Sequence, residues 1–219
     1  MKKRLEGRVV LVTGASRGIG AAIAKACAEE GARVIVNYAR SADAASEVVR
    51  AIVEAGGEAH LQRADVADGE AVNAMVDAIL EKYGALDVLV NNAGVTRDNL
   101  VAVMSDEEWD DVLRINAGGV FRLCRAVARP MMARKRGRIV NISSVAGTKG
   151  GKGQANYAAS KGAIEAFTRA LAVELAPKGI NVNAISPGVI VTEMSAFVRE
   201  AAGEEVLSKI LLKRYGNPE

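Results

Sequence analysis

The sequence predicts an α/β protein, a doubly wound parallel sheet in three layers, α/β/α. Three observations carry this expectation. Short apolar runs alternate with longer amphipathic stretches along the 219 residues, and repeated strand–helix order is what crossover-linked parallel strands require. Strand runs such as Val9-Val10-Leu11-Val12 are apolar at every position, as in strands buried on both faces. Turn residues punctuate the units at Gly31, Gly56-Gly57, Gly84 and Gly179. No repeat, low-complexity tract or linker interrupts the pattern, so residues 1–219 read as one domain.

The elements follow in order. Strands are expected at 9–13, 33–37, 59–62, 88–91, 138–142 and 181–186. Helices are expected at 19–30, 42–55, 70–83, 106–134 and 155–175, with a weaker one inside 195–212. Asp65 or Asp68 could cap the helix that begins near residue 70.

Composition narrows the function. Half the residues are apolar but only 4% are aromatic, so the core is mainly Val, Ile, Leu and Ala. No apolar run approaches the ~20 residues of a membrane span. Met1-Lys2-Lys3-Arg4 could open a signal peptide, but Glu6 and Arg8 interrupt it and the run 9–12 is too short for the apolar region of one. A cytoplasmic, non-membrane protein is expected. Cys27 and Cys124 form no Cys-x-x-Cys pair and read as buried free thiols. His60 is the single histidine, which argues against a multi-histidine metal site and a Ser-His-Asp hydrolase; no metal is expected. A net charge of +3 is too small to argue for nucleic acid.

After the first strand comes Thr13-Gly14-Ala15-Ser16-Arg17-Gly18-Ile19-Gly20, and a helix follows at once. Glycines there let the backbone turn sharply and approach a pyrophosphate at a helix N-terminus. By itself such a turn is also just a tight strand–helix connection. Its place in the first strand–helix unit favours a dinucleotide and a Rossmann-type fold, with Gly14, Ser16, Arg17, Gly18, Ile19 and Gly20 as contacts. The end of the second strand reads Asn37-Tyr38-Ala39-Arg40, with no acid before Asp43. An acid there would hold the ribose of NAD. Arg17 and Arg40 could instead reach a 2′-phosphate, so NADPH/NADP+ is expected, although Arg40 could equally be a surface charge. Asn37, Asp65 and Val66 complete the expected adenosine end, where Asp65 could accept from the adenine amino group.

Tyr157 and Lys161 lie four apart near the start of a long helix, so they share a face. A lysine cation one turn away favours the phenolate and lowers a tyrosine pKa from about 10. Alone the pair could be an ordinary surface pair. It is joined by Ser143-Ser144 at the end of the fifth strand, where a hydroxyl can hydrogen-bond a carbonyl oxygen. Asn91-Asn92-Ala93-Gly94 ends the fourth strand with small residues that allow backbone approach. Asn116 sits mid-helix, a poor place for asparagine without a reason: helix-bend capping or the holding of a relay water.

Together, Thr13–Gly20, Asn91–Gly94, Asn116, Ser144, Tyr157, Lys161 and Pro187-Gly188 resemble the classical short-chain dehydrogenases/reductases along essentially the whole chain. The 13-residue spacing of Ser144 and Tyr157 suits that family and selects Ser144 over Ser143. Within it, residues 141–147, 153–157 and 185–194 look most like the beta-ketoacyl-[acyl-carrier-protein] reductases; acetoacetyl-CoA reductases are similar. The resemblance implies ketone reduction with Tyr157 as proton donor and Ser144 orienting the carbonyl. Lys161 would tune Tyr157 and hold the nicotinamide ribose, and Asn116 would keep a relay water. It further implies that Asn92, Ala93, Gly94, Pro187, Gly188, Ile190 and Thr192 contact the cofactor and that a mobile lid spans 192–212. A non-catalytic nucleotide-binding relative is the alternative from another class.

The resemblance also implies an acidic acyl carrier protein as partner. Arg129, Arg134, Lys135 and Arg136 are the expected docking region, though cations at a helix C-terminus also complement its dipole. A homodimer or homotetramer is expected. The family continues beyond the point where Glu219 stands, by a helix and a final strand of about 20–30 residues, so a sheet without its closing strand is expected here.

Overall fold

Every apolar run expected to be a strand is one. β1 (Val9–Val12), β2 (Arg33–Tyr38), β3 (Glu58–Arg63), β4 (Val88–Asn91), β5 (Gly137–Ile142) and β6 (Ile180–Ile185) form a six-stranded sheet in the order β3-β2-β1-β4-β5-β6. All five pairings are parallel. The computed structural model describes residues 3–219, with the backbone alone at Ala201 and Ala202. Met1 and Lys2, which open the basic amino-terminal tetrapeptide, lie outside the described residues.

The helices are α1 (Gly18–Glu29), α2 (Ala42–Glu54), α3 (Gly69–Tyr83), α4 (Asp106–Arg134), α5 (Ala146–Lys149), α6 (Ala155–Leu175) and α7 (Ala196–Lys209). Local chemistry sets their ends. Asp68, not Asp65, caps α3: its carboxylate accepts from Glu70 N at 2.9 Å and Ala71 N at 3.1 Å. Ser105 and Glu108 close a capping box on α4. The short α5 and a 3-10 turn at Ala176–Lys178 escape sequence reading, because neither is long enough to show a helical period.

Alternate strand residues face opposite helix layers. Val9, Leu11 and Leu89 pack with α3, α4 and α6. Val10, Val12, Val34 and Val36 pack with α1 and α2. The expectation of burial on both faces fails at β6, which pairs with β5 alone. There Ile180 and Val182 are buried, whereas Asn181, Asn183 and Ile185 are exposed. β6 is a sheet edge among the described residues.

Past β6 the chain makes a closed excursion. Val191 N donates to Gly216 O at 2.8 Å and Gly216 N donates to Val189 O at 3.0 Å, so both ends of the expected lid are pinned together. Among the described residues no helix is long and apolar enough to cross a membrane. Both cysteines are free. Burial pushes the Cys124 thiol up to about 12 and the Cys27 thiol up to about 11, which suits inert packing groups.

At the opposite end from the crevice, Asp87 ties three elements together. Its buried carboxylate accepts from Val9 N at 3.0 Å and faces Arg134 at 3.3 Å and Arg8 at 3.7 Å. Replacing Asp87→Ala leaves a buried N–H and two guanidinium groups without their partner. The expected loss of stability is about 3 kcal/mol, read as a lower urea midpoint, and Asp87→Asn should recover part of it.

Candidate active site

The winding of the sheet reverses between β1 and β4, which opens a crevice at their carboxyl ends. Thr13 stitches its two sides. The buried hydroxyl donates to Val90 O at 3.3 Å and accepts from Asn92 N at 3.0 Å and Ala93 N at 3.1 Å. Asn92 returns the contact, its Nδ2 donating to Thr13 O at 3.0 Å and Gly14 O at 3.1 Å.

The glycine turn fits so closely that side chains are excluded. Gly14 has φ +60, and a Cβ there would lie 2.8 Å from Ala93 Cα. A Cβ on Gly20 would lie 2.4 Å from Gly14 O. Ser16 and Ile19 line the turn half-buried. α1 then begins at Gly18 with no acidic residue in its first turn and no side chain capping it. Its leading N–H groups and positive dipole end are therefore available to an anion. This cradle fits a dinucleotide pyrophosphate.

The adenosine end is more mixed than the sequence reading expected. Arg17 and Arg40 are exposed beside it, and Arg17 donates to Ser41 Oγ at 2.7 Å. Asp65 accepts from Ala67 N at 2.9 Å through Oδ1, leaving its second oxygen for a ligand donor. Asn37 is a correction. Its amide is buried and donates to Gln62 O at 3.2 Å and Ala64 O at 3.1 Å, so it ties β2 to β3 rather than facing the crevice. Val66 is also turned inward: its side chain is buried in the core against Gly119, which leaves only its backbone to touch a nucleotide.

The catalytic residues expected from the sequence come together from α4, the end of β5 and α6. Lys161 is buried and donates to Ile142 O at 2.8 Å, with Nζ 5.5 Å from the centre of the Tyr157 ring. A Cβ on Gly94 would stand 3.9 Å from the same nitrogen. Ser143 is occupied by Lys161 O at 3.1 Å and Glu165 Oε1 at 3.0 Å. Ser144, by contrast, accepts from Ala146 N at 3.1 Å and sets its hydroxyl beside the Tyr157 phenol. Asn116 Oδ1 accepts from Val95 N at 2.8 Å, and its Nδ2 donates to Val95 O and Ser160 Oγ, each at 3.0 Å. The side chain thus anchors the loop after β4.

One positioning residue went unread. Asn156 is fully buried; it donates to Arg97 O at 2.8 Å and Glu108 O at 3.1 Å, and accepts from Tyr157 N at 2.7 Å. It locks the start of α6 to the loop after β4 and so aims Tyr157. An asparagine beside the key tyrosine was the available signal. At the remaining wall, Pro187 O accepts from Val145 N at 3.0 Å, Gly188 faces open space, and Ile190 O accepts from Ser195 Oγ at 2.7 Å. The Thr192 methyl would meet a Cβ on Gly18 at 3.2 Å, which closes the wall over the glycine turn.

Electrostatics here differ from the sequence reading. Burial raises the Tyr157 pKa; the neighbouring Ser144 hydroxyl opposes this and the Asp98 charge adds to it. The Lys161 ammonium stands 5.5 Å from the ring centre and donates to the Ile142 carbonyl, and the net direction for Tyr157 is upward. Burial instead pushes Lys161 itself down to about 8. The folded state therefore binds this proton less well than the unfolded chain. The charge costs stability below pH 8, and the cost fades as pH rises from 8 towards 10. Lys161→Met should accordingly stabilise the ligand-free protein by about 2 kcal/mol at pH 7, after loss of the Ile142 hydrogen bond. Denaturant titration at pH 7 and pH 10 should show that gain shrinking at the higher value.

Comparison with known proteins agrees with this geometry. Residues 8–203 match the family described as short chain dehydrogenase. A Synechocystis protein named 3-oxoacyl-[acyl-carrier-protein] reductase is 48% identical over 98% of this chain and 86% of its own length. A Staphylococcus aureus protein of the same name is 49% identical over 94% of this chain and 84% of its own. The crystal structure of gox2181 superposes with a TM-score of 0.95 at 35% identity, over 99% of this chain and 86% of that one. The chain is a member of the short chain dehydrogenase family.

Proposed function

We propose that this chain reduces a beta-ketoacyl thioester, carried by an acyl carrier protein, to the beta-hydroxyacyl form with NADPH, as a cytoplasmic homo-oligomer in fatty acid synthesis. The observation that carries the reading is the meeting of Ser144, Tyr157 and Lys161 beside a glycine cradle at the reversal point of the sheet. Relatives bearing the corresponding name at 48–49% identity support the substrate class.

The bound nicotinamide supplies the hydride. The Ser144 hydroxyl hydrogen-bonds the ketone oxygen and fixes which carbon faces the cofactor. Tyr157, whose raised pKa keeps the phenol protonated, gives its proton to that oxygen as negative charge grows there. The phenolate left behind is stabilised by the Lys161 ammonium one turn away, which also holds the nicotinamide ribose. Asn116 and Asn156 keep the floor of the site in place. The remaining cofactor contacts are Gly14, Ser16, Arg17, Gly18, Ile19 and Gly20 at the pyrophosphate, Arg40 and Asp65 at the adenosine, and Asn92, Ala93, Gly94, Pro187, Gly188, Ile190 and Thr192 towards the nicotinamide. NADPH is favoured because Arg17 and Arg40 flank the end of β2 and no carboxylate stands between that end and Asp43.

Carrier docking on the exposed Arg129, Arg134, Lys135 and Arg136 belongs to the same proposal. Arg134 lies 18 residues past Asn116 on α4, about 27 Å along the helix axis.

The test is NADPH consumption with acetoacetyl-carrier protein beside acetoacetyl-CoA. Faster turnover of the carrier substrate is expected, and a preference for CoA would move the function to another ketone reductase of the family. Tyr157→Phe should lower kcat by about a thousandfold while the NADPH Kd stays within about twofold. Arg17→Ala should raise the KM for NADPH about tenfold without affecting that for NADH; wild-type protein using NADH equally well would defeat the cofactor choice.

A further inference from the structure

Arg17 carries a contact that the proposed chemistry does not use. Its Nη1 is ion-paired with Glu193 Oε2, while its Nη2 donates to Ser41 Oγ at 2.7 Å. Three segments remote in sequence thus meet at one guanidinium: the glycine turn, the residue preceding α2, and the lid. The other side-chain bonds of the lid fold it onto itself or its own root. Ser195 Oγ donates to Ile190 O, Arg199 donates to Thr192 O at 3.2 Å, and Tyr215 donates to Gly203 O at 3.1 Å. Among the described residues, Arg17–Glu193 is the one side-chain hydrogen bond from segment 192–215 to the fold before residue 189.

We infer that Glu193 is a positioning residue whose carboxylate latches the lid to the cofactor turn through Arg17, and that a 2′-phosphate bound on the Ser41 side of the same guanidinium sets the latch. The inference rests on the reading of Arg17 as the 2′-phosphate partner. Its physical basis is that a guanidinium is planar and rigid, with separate edges for two anions. Glu193 takes Nη1 and the Ser41 side offers Nη2, so phosphate binding need not displace the carboxylate. Without phosphate the pair is exposed, with side-chain accessibilities of 50% for Arg17 and 72% for Glu193, and such a pair holds weakly. A phosphate that immobilises one edge also immobilises the other. The lid then closes over NADPH more firmly than over NADH, and cofactor preference extends beyond direct binding.

The experiment uses adenosine 2′,5′-bisphosphate and adenosine 5′-monophosphate as probes on the wild-type chain, Glu193→Gln and Glu193→Asp. Binding is measured by calorimetry, and the lid by amide hydrogen exchange over 192–215. In the wild type the bisphosphate should slow lid exchange about threefold, and the monophosphate should not. Glu193→Gln should bind the bisphosphate within about twofold of wild type yet show no lid protection, and Glu193→Asp should restore part of it. With NADPH, the glutamine variant should show a raised KM for the ketone at nearly unchanged kcat, a split that general loss of structure would not produce. Tighter bisphosphate binding with equal lid protection by both nucleotides, or with full protection in Glu193→Gln, overturns the latch alone. Equal binding of the two nucleotides overturns the 2′-phosphate reading and the latch with it.

Discussion

The site depends on one close approach, the contact between the turns that end β1 and β4. A parallel sheet that reverses its winding must leave a gap there, and in this chain hydrogen bonds between side chains and backbone span it. Thr13 and Asn92 exchange hydrogen bonds across it, and Gly14 lies so near Ala93 that a Cβ would collide with the backbone. The start of α1, the Asn92–Gly94 turn and, through Gly94, the position of Lys161 are all referenced to this stitch.

The second demand is a cation inside the protein. Lys161 is buried with one carbonyl partner, and burial of an ammonium opposes folding. The fold tolerates it because α6 is fixed on all sides. Asn156 ties its start to the loop after β4, Ser160 meets Asn116, and Thr168 accepts from Asn141 on β5 at 2.8 Å. A Cβ on Gly147 of α5 would approach Gly162 N to 2.9 Å, so the helices touch backbone to backbone. This rigidity holds Tyr157 and Lys161 in register with Ser144. Ser143 beside it is used entirely for structure, which is why two adjacent serines have different roles.

Much of this was legible in the chain. Runs such as residues 9–12 and 88–91 announced strands because inner parallel strands must be apolar on both faces. The choice of Asp65 or Asp68 as a cap and turns such as Gly84 announced helix ends, because unpaired N–H and C=O groups need local partners. The order of the glycine turn, Ser144, Tyr157 and Lys161 announced the site, because four-residue spacing on a helix and strand-end placement are local geometry. The short α5 was not legible, since one turn has no period.

What the sequence determined by itself, then, is the alternation of elements, the burial of the inner strands on both faces, and the candidate residues from which the proposed reacting groups are drawn. Tertiary structure alone decided how polar side chains were used. Asn37 turned to β3, Asn116 and Asn156 to the loop after β4, and Arg17 to Glu193, 176 residues away. It also decided the direction of the Tyr157 pKa, since burial outweighs a lysine that is near in sequence but points elsewhere. The physical reason is common to both: hydrogen-bond partners and desolvation are set by what packs against a residue in space, and one-dimensional spacing reports only neighbours along the same element.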